Sequence, residues 1–412
     1  MNFELFTARR IIASRENKGS VSAPIIKIAI MAIAAGMVIM ILSASAGFGL
    51  QKKIREKVAA FNGEISIVHF DNQSPLEDQT PIDLPQDFYP EFSQVSGVEH
   101  IQATAHKAGV ILTQEEFEGI ILKGVGPDYR WDAMLPYITS GHYPETVGRL
   151  DNQLMVSRTV ADRLQLSLGD TINTFFLKEL GGQSIGSRGF EVVGFYESGF
   201  EDFDRQYVFS DIRHVQRLNR WTDQQVGRFE LFTDQADQVA LIADQVYQLT
   251  PASLNTLSMT ETYYAIFEWL SLFDFNIYLI IGIMILIASI NMITALLVLI
   301  LERTHMIGLF KSLGSTNWSI RKMFLYQAGY IIGLGLFWGN LIGVSLIGLQ
   351  SYFKIITLDP ATYYVRYAPV FLPWDFLVWL NIGTFVLCLF LLLLPSYLVT
   401  RISPVEAMRF DG

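Results

Sequence analysis

Residues 275–301 read FNIYLIIGIMILIASINMITALLVLIL and contain no charged side chain. An apolar run of about 20 residues is long enough, as an α-helix, to cross the hydrocarbon core of a bilayer. The stretch therefore predicts a membrane-spanning helix. The composition agrees, because 51% of the 412 residues are hydrophobic and only 17% are charged, against about 25% charged residues in soluble domains.

Three further apolar runs give a predicted total of four spanning helices. The four predicted helices are assigned to residues 25–50, 273–301, 324–349 and 376–400. A long block, 51–272, separates the first helix from the second. The predicted fold class is therefore a four-helix membrane protein with a large mixed α and β domain between helices one and two.

Basic residues predict the orientation, because Lys and Arg are enriched in cytoplasmic loops. They concentrate in the N-terminal segment 1–24, the loop 302–323 and the tail 401–412, which makes both termini cytoplasmic. The block 51–272 and the short loop 350–375 then face outward. Four cations outside the first helix conflict with this rule, and the other loops outweigh them because long domains translocate regardless of charge. These cations are Lys52, Lys53, Arg55 and Lys57.

The first helix has an alternative interpretation as a cleaved signal peptide. Ala44, Ser45 and Ala46 resemble a small-residue cleavage site. The preceding polar segment and the apolar run are both long for a signal, which favours an uncleaved helix. Both alternatives leave the block outside, so the mass of the intact N-terminus would decide between them.

The outward block is acidic and carries no recognisable catalytic motif. Residues 51–270 hold 17 Lys and Arg against 32 Asp and Glu, a balance that excludes nucleic acid as a partner. No P-loop occurs, and the six histidines show no metal-ligand spacing. Asp202 and Asp204 could form a catalytic carboxylate pair, but in a block with so many acidic residues we interpret their proximity in the sequence as chance. We therefore expect no enzyme activity, no metal site and no bound cofactor in this chain.

Periodicity predicts helical stalks at both ends of the block. Leu50, Ile54, Val58 and Phe61 form an apolar stripe that continues the first helix, and Thr260 is positioned to cap a helix leading straight into the second. Short runs rich in β-branched and aromatic residues predict strands between them. These strands are Glu64–His69, Gly119–Lys123, Thr171–Leu177 and Phe190–Tyr196.

Small and polar residues within the spanning runs predict helix packing. Gly335, Gly339 and Gly343 recur at four-residue spacing, which favours close approach of another helix of the same chain. Asn residues inside apolar runs are expected to form hydrogen bonds between helices. These residues are Asn291, Asn340 and Asn381.

The loop between helices two and three reads ERTHMIGLFKSLGSTNWSIRKM over 302–323. Met306, Leu309, Phe310 and Leu313 form a stripe with the i, i+3, i+4, i+7 spacing of an amphipathic helix, and Gly314 predicts its end. Thr316 or Asn317 can cap the next helix. Such a helix is suited to a groove on a cytosolic partner. The alternative is a helix lying in the lipid interface.

The same region resembles a known family. The run from Ile287 to Phe324, IASINMITALLVLILERTHMIGLFKSLGSTNWSIRKMF, is similar to the coupling segment of ABC permeases of the macrolide-exporter, cell-division and lipoprotein-releasing types. The ending RISPVEAMRFDG is similar as well. The motifs ILKGVGPDYRW, LMVSRTVADRLQLSLGDTI and FEVVGFYESGFEDFDRQYVF, with Ser198–Asp204 in the last, resemble the lipoprotein-releasing, or Lol-type, permeases in particular.

The resemblance implies a dimeric inner-membrane permease that transmits motion from a separate ATPase dimer to its outward domain. ATP and Mg would bind in the ATPase and not in this chain. The other partners would be a second permease chain, the same or a paralogue, a lipoprotein lifted from the outer leaflet, membrane lipid and a periplasmic carrier. The residues that would contact the ATPase are Glu302, Met306, Leu309, Phe310, Lys311, Leu313, Gly314 and Ser315.

Two further sites are implied at the outward side. The first would shelter acyl chains at the outer helix ends, and an ordinary aromatic belt is the alternative. The second would bind the carrier through a loop from Lys178 to Gly189, with Lys178, Gly182 and Arg188 in it. Rival functions are efflux of a macrolide or peptide, and signalling to a wall hydrolase. The acyl-chain residues are Phe48, Leu50, Ile54, Phe267, Phe273, Tyr363 and Tyr364, with Leu270, Tyr352, Phe353 and Phe371 nearby.

Overall fold

A computed structural model describes Glu4, Phe6 and residues 22–72, 79–113, 116–177, 185–235, 238–397 and 400. The predicted tail 401–412 and most of segment 1–24 lie outside these residues. The described chain divides into two compact units. The membrane unit takes the described residues of Met1–Lys52, Leu270–Thr357 and Tyr367–Gly412. The α/β unit takes those of Lys53–Trp269 and Leu358–Arg366.

The helices of the described residues are numbered in chain order. They are α1 Ser22–Asn62, α2 Trp131–Met134, α3 Arg158–Leu164, α4 Glu201–Gln206, α5 Ile212–Asn219, α6 Val239–Leu249, α7 Met259–Thr262, α8 Tyr264–Glu302, α9 Thr304–Ser312, α10 Asn317–Phe353, α11 Pro360–Tyr363, α12 Trp374–Leu391 and α13 Leu393–Ser396.

The strands are numbered in the same way. They are β1 Ile65–His69, β2 Ile82–Asp83, β3 Val98–Leu112, β4 Phe117–Val125, β5 Ile138–Gly141, β6 Gln153–Ser157, β7 Thr171–Leu177, β8 Ile185–Tyr196, β9 Tyr207–Asp211, β10 Gln225–Val226, β11 Arg228–Thr233 and β12 Leu254–Ser258.

The membrane unit contains the predicted spanning helices. Within the described residues, four helical stretches are long and apolar enough to cross a bilayer. They are Pro24–Asn62, Tyr264–Glu302, Asn317–Phe353 and Trp374–Ser396. A buried core that includes Met37, Met292 and Phe324 joins them inside the unit. The four predicted apolar runs therefore fold as helices, and each of the first three helices is longer than its run.

Glycines of α10 allow α1 to pack closely against it, as predicted. A Cβ atom on Gly335 would lie 2.7 Å from the Cβ of Ile33, and one on Gly339 would lie 2.6 Å from the Cβ of Met37. Both distances are shorter than any ordinary carbon contact, so only glycine fits. The glycine repeat is therefore an intramolecular helix contact, repeated once per turn.

An asparagine pair links α10 to α12. Asn340 Nδ2 donates to Asn381 Oδ1 at 2.6 Å, and Asn381 Nδ2 donates back to Asn340 Oδ1 at 3.0 Å. The prediction of interhelical hydrogen bonds is confirmed for these two residues. For Asn291 the described part of the chain provides no such bond.

The α/β unit is built on a mixed sheet. Its strand order is β12-β1-β11-β3-β4-β9-β6-β8-β5, and β7 pairs with both β3 and β8. The pairs β4–β9 and β6–β8 are parallel, while the other pairs in the sheet are antiparallel. Segments rich in β-branched residues, such as Ile65–His69, form strands that alternate with short helices. The predicted α+β class is therefore confirmed.

The stalk of α1 enters the core of the α/β unit. Ile54, Val58 and Phe61 are each no more than 2% exposed, which confirms the predicted apolar stripe. The helix ends at Asn62 because Gly63 adopts a φ of +68°, and its amide donates to the Ala59 carbonyl at 2.7 Å. A left-handed glycine of this kind commonly terminates helices.

The predicted cap of the second stalk was wrong by two residues. Ser258, and not Thr260, begins the helical segment: its hydroxyl accepts from the Glu261 amide, and the Glu261 carboxylate accepts from the Ser258 amide. This reciprocal capping box satisfies two amide groups at once, whereas Thr260 has Tyr263 at the equivalent position and cannot form it. The helix is also interrupted at Tyr263, between α7 and α8.

The predicted loop from Lys178 to Gly189 is too long. Strand β8 begins at Ile185, and Gly186 and Gly189 pair with Phe176 and Asn173 of β7. Pairing with β7 outweighs the weak strand propensity of the glycines, which misled the sequence interpretation. Lys178 and Gly182 lie outside the described residues. Arg188 lies within β8, opposite Thr174.

Candidate functional site

The loop between α8 and α10 folds into the predicted short helix. Helix α9 runs from Thr304 to Ser312, and Gly314 follows it with a φ of +90°. The Ser315 amide donates to the Phe310 carbonyl at 2.9 Å, which closes the helix end. Thr316 caps α10, because its hydroxyl accepts from the Ser319 amide at 3.2 Å. The predicted helix and its glycine stop are confirmed.

The apolar stripe of α9 does not act as one surface. Met306 and Phe310 are half-buried against the membrane-unit core, next to the fully buried Ile307. Leu309 and Leu313 instead are 48% and 75% exposed. The prediction of a single docking stripe needs this correction, because half of the stripe anchors the helix to its own unit. The anchored half fixes α9 on the core, and the exposed half is open to a partner.

An exposed aromatic side chain follows the exposed leucines in the sequence. Trp318, on the first turn of α10, is 52% exposed. The Arg321 guanidinium lies 5.4 Å from its ring and the Lys322 ammonium 5.7 Å. Exposed apolar side chains with aromatic and Arg neighbours are typical of binding hot spots. We call Leu309, Leu313 and Trp318 the coupling surface.

The remaining predicted ATPase contacts lie at the two ends of α9. Glu302 is the exposed last residue of α8. Lys311 is half-buried, and its ammonium donates to the Thr400 carbonyl at 3.4 Å. Gly314 and Ser315 form the turn into α10. The structure thus brings the predicted residues together at one end of the membrane unit, with different degrees of exposure.

The predicted acyl-chain residues of the membrane unit are not equally accessible. Leu50 and Leu270 are buried, at 4% and 3% exposed, so they pack the interior. Phe48 contacts Phe376 edge to face at 4.9 Å. Phe273 is half-buried. Among the residues predicted near the acyl-chain site, the most exposed in this unit are Tyr352 at 82%, Phe353 at 62% and Phe371 at 40%.

The other predicted acyl-chain residues belong to the α/β unit. Ile54 is fully buried and Phe267 half-buried. Tyr363 is 37% exposed. Tyr364 stacks on Phe200, with ring centroids 4.6 Å apart. Ile54 therefore packs within its unit, as its place in the stalk stripe predicts, and is not accessible to an acyl chain. Tyr363 is the accessible member of this group.

Lys57 forms a buried junction that sequence reasoning missed. Its side chain lies on the stalk of α1, and its ammonium donates to the Ser198 carbonyl and to the Tyr364 carbonyl, both at 2.6 Å. The residue is only 8% exposed. Lys57 thus ties the stalk to the Ser198–Asp204 loop and to the segment 358–366 between α10 and α12. We call this arrangement the Lys57 junction.

Further contacts hold the two loops of the junction together. The Asp204 carboxylate accepts from the Ser198 and Gly199 amides, both at 2.9 Å. Burial raises the pKa of the Asp204 carboxyl, and these amide bonds oppose the rise. Arg366 pairs with Glu197. Asp204 therefore organises the Ser198–Asp204 loop.

The position of Lys57 in the sequence could have predicted that its side chain is buried. It lies three residues after Ile54 and four before Phe61, within the buried stripe. The cations that conflicted with the orientation rule have partners inside their own units: Lys52 lies 3.9 Å from the Phe371 ring, and Lys53 pairs with Glu56 at 3.2 Å. These contacts give Lys52, Lys53 and Lys57 local roles.

We expect Lys57→Met to release the segment 358–366. The substitution keeps the length of the side chain but leaves two carbonyl groups without their donor, and hydrogen bonds to a charged group contribute about 1.5–3 kcal/mol each. Amide hydrogen exchange in this segment should quicken by roughly 100-fold, since each ~1.4 kcal/mol is a factor of ten.

Lys53→Met is the matched control, because Lys53 is 44% exposed and its ion pair lies on the surface. Exchange in the segment 358–366 should be unchanged in this variant. Equal exchange in wild-type protein and Lys57→Met would show that the junction does not hold the segment.

The described residues contain no cluster of three or more His, Cys, Asp or Glu side chains that could hold a metal ion. Cys388 is buried and unpaired within the membrane unit. Within the described residues, the geometry offers a docking surface on α9 and the start of α10.

The fold and the coupling surface define a class: a four-helix membrane protein with an α/β domain inserted after the first helix. Comparison with protein families identifies this class more narrowly. Residues 28–249 match the MacB-like periplasmic core domain, and residues 278–404 match the C-terminal part of FtsX-like permeases. The first match alone covers more than half of the chain.

Relatives give the same assignment. The lipoprotein-releasing system transmembrane protein LolC of Haemophilus influenzae is 23% identical over 291 residues, 68% of this chain and 70% of that one. The protein of the same name from Xylella fastidiosa is 20% identical over 402 residues, 93% of each chain. The chain belongs to the Lol-type ABC permeases of the MacB/FtsX superfamily. It is a non-catalytic transport subunit.

Proposed function

We propose that this chain is the permease subunit of an ATP-driven complex that extracts lipoproteins from the outer leaflet of the inner membrane and passes them to a periplasmic carrier. Its similarity to LolC chains over nearly its full length is the main support. In this proposal ATP and Mg bind in a separate ATPase dimer, because the sequence contains no P-loop. A second permease chain, the same or a paralogue, completes the complex.

The single observation that carries the mechanism is the divided surface of α9. Ile307, Met306 and Phe310 fix the helix on the membrane-unit core, while Leu309 and Leu313 remain exposed. A partner that pulls on the exposed side moves the core with it, since packed interiors transmit displacement. Because α9 follows the 39-residue α8 after one residue, the displacement reaches a helix that continues beyond its spanning run.

Lipoprotein extraction requires such a coupled and sheltered route. Each CH₂ group moved from lipid into water costs about 0.8 kcal/mol. Acyl chains of a lipoprotein would therefore cost tens of kcal/mol without an apolar shelter. Exposed aromatic residues such as Tyr352, Phe353 and Tyr363 are the proposed contacts on the chain's surface, whereas Leu50 and Ile54 are buried, each within its own unit.

We propose the β7–β8 hairpin as the carrier contact, because its two strands remain paired as far as Leu177 and Ile185. Arg188 on β8 can add a charge-assisted contact. The resemblance to Lol-type permeases motivates this assignment.

The function is tested by ATP-dependent transfer. The complex purified from membranes is reconstituted in proteoliposomes with a lipidated protein and a soluble carrier, and the cargo recovered with the carrier is measured. We expect transfer with ATP and Mg, and none with a Cys→Ala cargo that cannot be lipidated. Transport of a macrolide or peptide with no lipoprotein transfer would support the efflux alternative instead.

A further inference from the structure

A groove runs along the outside of the membrane unit between α1 and α10. Its volume is about 670 Å³, within the range of about 300–1,000 Å³ for small-molecule sites. Its lining includes Ala34 and Ala35, the two small side chains that we call its floor, and the larger Met31, Trp338 and Ile342. The lining is almost wholly apolar, so its natural occupant is a hydrocarbon chain.

The shape of the groove is fixed by the packing of the two helices. Gly335 and Gly339 hold α10 against Ile33 and Met37 of α1, with no space for even a Cβ atom. The large Trp338 side chain next to this contact stays 48% exposed. A close helix contact beside small alanine residues produces a permanent cleft, because the helices cannot move together to close it.

The groove ends at a single cation. Lys27 is the one charged residue of its lining, and it is exposed. Within the described part of the chain, no carboxylate forms an ion pair with Lys27. An exposed ammonium at the end of an apolar channel is complementary to a molecule with an anionic head and an apolar tail.

The length of the groove matches one leaflet of a bilayer. From Lys27 to Ile39 there are 12 residue steps, which is about 18 Å along a helix. Half of a typical hydrocarbon core is about 15 Å. An acyl chain that follows the alanine floor from Lys27 therefore reaches the middle of the membrane at the far end of the groove, near Ile39 and Ile342.

We propose that this groove binds an anionic phospholipid of the leaflet at which α1 begins, with its phosphate at Lys27 and an acyl chain along Ala34 and Ala35. Lipid tails in the bilayer are as apolar as the groove, so burial of an acyl chain gives no preference for one lipid over another. The preference comes from the charge on Lys27. On the proposed topology this is the cytoplasmic leaflet, so the lipid is a resident of the permease and not its cargo.

The test is labelling by a phosphatidylglycerol that carries a photoreactive group on an acyl chain. The full-length complex is placed in phosphatidylcholine vesicles containing this probe, and the labelled peptides are identified by mass spectrometry. We expect labelling of the peptides that contain residues 30–39 and 338–342. Lys27→Gln should lower it about fivefold, the equivalent of the ~1 kcal/mol contributed by one Lys near an anionic surface.

Two further variants separate binding from folding. Lys27→Arg keeps the charge and should keep the labelling. Ala35→Leu fills the floor of the groove from an exposed position, so it should abolish labelling while the melting temperature stays unchanged. A phosphatidylcholine probe should label wild type and Lys27→Gln equally, because it lacks the net negative charge.

Labelling that Lys27→Gln and Ala35→Leu both leave unchanged would overturn the proposal. Crosslinks from the groove to a second permease chain, in place of lipid, would overturn it as well and would identify a subunit interface. The assay needs neither cargo nor ATP, so its outcome is independent of the transfer assay above.

Discussion

The double substitution of Leu309 and Leu313 by Asp is expected to abolish copurification of the ATPase, while the permease still inserts into the membrane. Burying a leucine side chain contributes about 1.5–3 kcal/mol, so two leucines contribute about 3–6 kcal/mol. Affinity should therefore fall by at least roughly 100-fold. Both side chains are exposed in the chain itself, so the permease fold should not depend on them.

Ser312→Asp is the matched control for this variant. Ser312 is the last residue of α9 and is exposed. The control adds one negative charge to the same helix turn, where the double variant adds two, and it removes no apolar contact. Unchanged copurification by the double leucine variant, together with full ATPase stimulation, would show that the coupling surface lies elsewhere.

Glu230→Gln should strongly destabilise the α/β unit. Glu230 and Lys123 are both fully buried, with Nζ and Oε1 2.6 Å apart. Lys123 also donates to the Phe61 carbonyl at the end of α1, while Gln102 and Thr104 donate to the Glu230 carboxylate. Removing one partner of a buried ion pair costs about 3–5 kcal/mol, because the other charge is left uncompensated.

A loss of this size lowers the melting temperature of a domain of 150–250 residues by roughly 10 °C, at ~2–4 °C per kcal/mol. Burial lowers the pKa of Lys123, whereas the Glu230 charge raises it, so the lysine loses this support in the variant. Thermal unfolding of the full-length protein in detergent measures the effect. Adding Lys123→Met to Glu230→Gln should restore part of the stability, because no unpaired charge remains.

The surface pair Glu201–Arg205 provides the control. Both side chains are about half exposed, and exposed pairs contribute about 0–1 kcal/mol. Glu201→Gln should therefore leave the melting temperature within about 2 °C of wild type. A shift as small as this in Glu230→Gln would contradict the account of the buried pair.

Local sequence patterns correctly predicted the structural elements that are determined by residues close together in the sequence. Long apolar runs predicted the four spanning helices, and Gly314 predicted the end of α9, since glycine readily adopts a positive φ. The stripe Leu50 to Phe61 was correctly predicted as buried because its period matches one helix face. The glycine repeat of α10 was correctly assigned to packing within the chain.

The errors arise where a distant partner decides the structure. Periodicity showed that Met306 and Leu309 are on one apolar face, but it could not show that half of this face is taken by the membrane-unit core. The strand from Ile185 exists because β7 is beside it. Lys57 is buried because Ser198 and Tyr364, distant in sequence, supply the carbonyl groups it needs. Such long-range partners leave no local signal.

The central claim is that motion of a separate ATPase, received at Leu309 and Leu313, drives lipoprotein release. The most direct measurement is ATP-dependent transfer of a lipidated protein from proteoliposomes to a soluble carrier. Three complexes are compared: the wild type, the Ser312→Asp control and the variant that carries both Leu309→Asp and Leu313→Asp. We expect transfer by wild type and by Ser312→Asp, and background transfer by the double leucine variant. Equal transfer by all three complexes, or equal transfer of an unlipidated cargo, would contradict the account.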